Sequence, residues 1–156
     1  MSQRRLAIVG DFVARCRVAG LASIIEPVSR QAHDGLSWDF NDGVLKAAKE
    51  LGSRGAELYK AGLPLYGKGS ETEVRREASE LTRVIEGPWV VLSSGVSPDD
   101  FPTAVEWACR ERASGFLAGW ALWKGVIGSP DIETALENDA LPNLQKLCDV
   151  VDRVVS

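Results

Sequence analysis

The chain has 156 residues, 45% of them hydrophobic and 26% charged, with a formal net charge of −4. This is enough chain for one domain, 1–156, with a real core. The acidic balance offers no basic footprint for nucleic acid or an anionic membrane, and no apolar run approaches the ~20 residues of a membrane span. Cys16, Cys109 and Cys148 are far apart and lack metal spacing, and His33 is the single histidine. That usage predicts reduced thiols in a cytoplasmic protein, with no metal site and no histidine-dependent triad.

Residues ~4 to 19 place Leu6, Val9, Val13 and Cys16 on one helical face, and Gly20 is a suitable stop. Leu21 to Pro27 is a short apolar run closed by proline and predicts a buried strand. Asn41 or Asp42 can cap a helix that runs to about Gly52. The strand Ala56-Glu57-Leu58-Tyr59-Lys60 follows, then a glycine-rich loop and a charged helix from Glu71 to Glu86. Pro88 to Gly95 is the clearest strand, because Val90, Val91 and Leu92 are continuously apolar. A helix capped by Ser97 or Asp99 comes next, then a last strand from Gly115 to Gly119. Helices around Asp131 to Asn138 and Pro142 to Val155 finish the chain.

Four strand–helix units behind one leading helix predict an α/β protein with a parallel sheet and right-handed crossovers. Two architectures fit: an open doubly wound sheet, or a partial (β/α)8 TIM barrel, whose full size is ~250 residues. The strand ends then matter most. Ile25-Glu26-Pro27, Tyr59-Lys60, Ser93-Ser94-Gly95 and Gly119-Trp120 all fall at C-terminal ends. Parallel α/β proteins build their sites at that end. A lysine ending a core strand is a candidate amine nucleophile. Burial disfavours its ammonium form, and the free amine can attack a carbonyl to form a Schiff base. Glu26 on the neighbouring strand can carry the protons. The structural alternatives for this pair are an ion pair or a lysine that runs out to solvent. Backbone N–H groups near Ser93, Ser94, Gly95 and Gly119 can face an anion. Gly67-Lys68-Gly69 is a weaker anion candidate, more readily a solvated loop.

Four segments, "IIEP", "AELYKAGLP", "VVLSSGVSPDDF" and "GFLAGWALWKG", carry a resemblance. In order and spacing the chain resembles the C-terminal half of the class I aldolases that cleave tagatose 1,6-bisphosphate, and of their sulfofructose-phosphate relatives. The resemblance implies a metal-independent, cofactor-free lyase that splits a ketose phosphate or related sugar into a three-carbon ketone and an aldehyde. It implies Lys60 as the Schiff-base lysine and Glu26 as general acid/base. Ser93 and Gly95 match phosphate-holding residues, with Ser94, Gly119 and Trp120 beside them. The family carries Cys-Gly-Arg-Ala-Thr-Trp at the last strand. Here Ala118-Gly119-Trp120-Ala121-Leu122-Trp123 puts an indole where the family has its phosphate-binding arginine. The family's first four strands, which supply an aspartate and a further lysine, have no counterpart in these residues. A half-barrel exposes two sheet edges and an open trough lined by residues such as Leu58, Val91 and Leu117. It is expected to form a homo-oligomer or to pair with a complementing N-terminal half. The rival readings are a non-catalytic half-barrel assembly module and an anion-binding α/β domain.

Overall fold

In the computed structural model, residues 3–31 and 35–155 are described, apart from the side chain of Trp120. His33 lies outside the described residues. The four predicted strands form one parallel sheet: β1 (Ile24–Ile25), β2 (Leu58–Gly62), β3 (Trp89–Leu92) and β4 (Phe116–Leu117). Their spatial order is β1-β2-β3-β4, the same as their order along the chain. A doubly wound sheet reverses its strand order at a switch point. No reversal occurs here, so the fold is the partial TIM-barrel arrangement of the two architectures.

The helices are α1 (Gln3–Val18), α2 (Phe40–Leu51), α3 (Glu71–Val84) and α4 (Phe101–Arg110), then α5 (Trp120–Trp123), α6 (Ile132–Ala135) and α7 (Leu141–Val155). Helix α2 packs on α3, α3 on α4 and α4 on α7, so the long helices form one row against one face of the sheet. Leu147 and Val150 fix α7 in this row. On α1 the face turned inward is the predicted one, with Val13 buried and Leu6 and Val9 packed against the core. Gly20 ends the helix in the left-handed region (φ 67), where glycine is favoured.

The register decides which strand residues face the helices. Tyr59 pairs with Trp89 and Ala61 with Val91, and all four are buried beneath the helical layer. Burial, with Glu50 on α2 as a secondary cause, pushes the Tyr59 phenol well above its ordinary range. The opposite parity, Leu58, Lys60, Val90 and Leu92, belongs to the trough. Val91 is therefore not a trough residue: it is 0% exposed under the helices, and Val90 takes the trough position. A continuous apolar run hides this parity, because both faces of the strand are hydrophobic. Leu58 and Leu117 do face the trough.

Two caps also differ from the predicted ones. Helix α2 is capped by Asp39, whose side chain accepts the Asp42 N–H. Asn41 instead accepts the Leu65 N–H at 2.8 Å, which ties α2 to the loop after β2. At α4 the Ser97 hydroxyl accepts the Asp100 N–H, one turn ahead of a helix whose first residues are Phe101 and Pro102. Asp131 caps α6, its side chain accepting the Thr134 N–H.

Candidate active site

The register of β1 on β2 pairs Ile24 with Leu58 and Ile25 with Tyr59. Carried one residue further, it sets Glu26 beside Lys60 on the trough side. There Lys60 Nζ donates to Glu26 Oε2 at 2.8 Å. The Lys60 side chain is 18% exposed and that of Glu26 38%, so the amine is enclosed and the carboxylate faces the opening.

A cavity of about 630 Å³ opens directly onto Lys60. Ser93, Ser94 and Gly95 line one side, and Ala118, Gly119 and Trp123 line the other. Residues of three of the four expected strand ends thus meet in one mouth, with Glu26 bonded to Lys60, but Lys60 does not end its strand: β2 continues in register with β3 to Gly62. Gly95 has a φ of +78, and a Cβ there would fall 2.7 Å from the Tyr66 ring. Both facts require glycine. At Gly119 an added Cβ would come within 2.8 Å of the Trp123 indole, so that glycine lets the tryptophan close the cavity wall. Trp120 opens α5 directly after Gly119, and its side chain lies outside the described residues. Lys68 is exposed and lines neither this cavity nor its neighbour.

Two features of the mouth carry no sequence pattern. Tyr66 stacks on Phe40 with ring centroids 3.9 Å apart, and both Leu65 (φ 55) and Tyr66 (φ 51) occupy the left-handed region. That backbone is uncommon for non-glycine residues and clusters at functional sites. Arg30, in the segment after β1, lines the adjoining cavity. The doublet follows from the Asn41 tether and Arg30 from a loop path, neither of which has a local periodicity. Among the described residues, no group of three or more His, Cys, Asp or Glu side chains could hold a metal ion. None of the described helices is long and apolar enough to cross a membrane.

Residues 1–125 match the family model described as "DeoC/LacD family aldolase". The chain belongs to that family. Its fold is also that of an archaeal fructose-1,6-bisphosphate aldolase, solved with its catalytic lysine covalently bound to the carbinolamine intermediate of the substrate. The TM-score is 0.65 at 15% identity, over 94% of this chain and 51% of the other. The chain spans about half the length of the solved structure it matches. In this DeoC/LacD-family chain an amine bonded to a carboxylate, two serines and two glycines thus gather on one side of the sheet around a cavity.

Proposed function

We propose that residues 1–156 are one domain, the C-terminal half of a TIM-barrel class I aldolase, with Lys60 as its Schiff-base nucleophile. One observation carries the reading: the amine of Lys60, the middle residue of β2 with its side chain 18% exposed, lies 2.8 Å from the Glu26 carboxylate and lines a cavity. The substrate is a ketose phosphate or a related sugar, as for the tagatose 1,6-bisphosphate and sulfofructose-phosphate aldolases that the strand motifs resemble. The products are a three-carbon ketone and an aldehyde.

Each step follows from the pair. The Lys60 ammonium gives a proton to Glu26, and the free amine attacks the substrate's carbonyl carbon. A C–N bond forms as the C=O π pair moves to oxygen, and the proton lost by the attacking nitrogen goes to that oxygen to give a carbinolamine. Glu26 then protonates that hydroxyl, water leaves, and the iminium remains. The positive nitrogen accepts the electron pair of the C3–C4 bond as the C4 hydroxyl loses its proton to the Glu26 carboxylate, which releases the aldehyde and leaves Glu26 the proton that C3 then takes. The resulting enamine is protonated at C3, and water cleaves the new iminium to free the ketone and regenerate Lys60. The N–H groups around Ser93, Ser94, Gly95 and Gly119 hold the substrate's acid group so that its carbonyl meets Lys60.

The test is trapping. Incubation with dihydroxyacetone phosphate and borohydride, followed by peptide mass mapping, is expected to place a reduced adduct on Lys60. No adduct with any carbonyl donor removes the Schiff-base reading for this chain. A specific observation supports a second role, in assembly. Ile24 is 49% exposed on the outermost strand and Leu117 38% on the other, so both sides of the trough present apolar surface. A second copy or a complementing N-terminal half would cover it. Light scattering should find a dimer or larger species, and a cooperatively melting monomer would end this second role.

A further inference from the structure

The cavity at Lys60 has a second lobe. A space of about 330 Å³ adjoins it and shares Leu92, Ser94 and Gly95 with it. The outer wall is the segment after β1, including Ser29 and Arg30, and the inner wall is aromatic, from Trp38, Phe40 and Tyr66. These walls are built rather than incidental. Tyr66 is stacked on Phe40, its backbone is held in the left-handed region, and Asn41 anchors Leu65 beside it. The Trp38 indole N–H donates to the Ser29 hydroxyl at 3.2 Å.

Charge in the two lobes is unequal. Lys60 is the one charged side chain among the described lining of the first lobe, and it is engaged with Glu26. Arg30 is the one charged side chain among the described lining of the second; its other side borders a further space that Glu26 and Glu50 also line. Arg30 and the Ser94–Gly95 turn line the same space, so the second lobe has one cation facing the floor that both lobes share. Residue 120, at the other edge of the first lobe, is a tryptophan and brings no charge. A guanidinium fork matches two oxygens of a phosphate at once, which an ammonium cannot do.

We propose that Arg30 binds an oxyanion group, phosphate as the model case, held between its guanidinium and the Ser94–Gly95 turn. Calling that group part of the substrate rests on the aldolase reading, but the binding itself does not. Arg30 is exposed, so its replacement should leave the fold intact.

The probe is inorganic phosphate on the whole chain. Phenylglyoxal modification mapped by mass should be suppressed at Arg30 by phosphate and unchanged at Arg54, an exposed arginine whose guanidinium donates to the Glu50 carbonyl. Phosphate titration followed at the Gly95 amide should weaken about 10- to 100-fold in Arg30→Ala, with Arg30→Lys between the two. Equal modification of Arg30 with and without phosphate would overturn the proposal. So would wild-type affinity in Arg30→Ala, or no phosphate response in the unaltered chain. If Arg30→Ala loses its native circular dichroism, the protection experiment on the unaltered chain decides alone. Failure to trap Lys60 with borohydride counts against the aldolase reading only, so the two failures are distinguishable.

Discussion

The two ends of the β1–β2 pair carry the same kind of contact with opposite surroundings. At the N-terminal end Ser23 meets Glu57, and at the C-terminal end Glu26 meets Lys60. Both pairs are 34 residues apart, because one parallel register sets them both. Ser23 is 0% exposed, and its N–H and hydroxyl both donate to one Glu57 oxygen. Those bonds lock the strand entry, and neither residue lines the cavity at Lys60. The Lys60 pair opens on a cavity instead. One register thus sets one carboxylate on a buried serine and another on a lysine that lines a cavity, and the proposed division of roles rests on that difference. Barrel folds generally keep stability at the N-terminal face and chemistry at the C-terminal face.

The largest expected effect separates the ends outright. Lys60→Met keeps the volume of the side chain and removes the amine. Borohydride trapping should disappear completely, because no other group described in the cavity lining is a primary amine. Stability should hardly move, since a partly exposed ion pair contributes about 0–1 kcal/mol. Thermal melting checks the second half. A large drop in melting temperature would mean that the C-terminal pair fastens the fold as the N-terminal pair does, and the contrast would fail.

Next in size is Glu26→Gln. The amide keeps the shape and loses the proton-transfer group, whose usual worth is about 10²- to 10⁴-fold in rate. The Lys60 adduct should still form, but more slowly, as followed by single-turnover trapping. A rate equal to the unaltered chain would leave Glu26 as an ion-pair partner only.

The Glu26–Lys60 pair was more legible in the sequence than the walls around it. Both stand out because a charged residue beside apolar strand residues opposes the burial its neighbours demand, although β2 runs on past Lys60 to Gly62. Alternating strands and helices imply the parallel sheet but leave its strand order open between two architectures, and only the placed strands decide it. The strand edges were harder: β1 was expected over Leu21 to Pro27, yet only Ile24–Ile25 pairs as strand. Val91 and Val90 could not be assigned to faces, since a doubly buried strand has no polar alternation to set the parity. Asn41 has the chemistry of a cap, but Asp39 takes the cap and Asn41 reaches a loop 24 residues on. Arg30 and the strained Leu65–Tyr66 pair depend on where loops run in space, which no local spacing encodes.

The smallest effect tests the fastening end through pH. Two donations from Ser23, side chain first and backbone second, hold the Glu57 carboxyl below its ordinary value of 4.5. Above that value the carboxylate is ionised in both the folded and unfolded chains, and its contribution to stability is fully present. As pH falls below it, the unfolded chain takes up the proton first. The folded chain then binds fewer protons than the unfolded one, so stability falls with pH until the folded carboxyl also titrates. Glu57→Gln cannot titrate and should show a shallower loss of stability between pH ~4.5 and the onset of acid unfolding. Urea melts across that range measure the slope, and Glu26→Gln is the matched control from the other end. If both variants flatten the acid slope equally, the two carboxylates fasten the sheet alike and the division between its ends is lost. If only Glu57→Gln does so while Lys60 trapping is unchanged, one strand pair carries stability at one end and reactivity at the other.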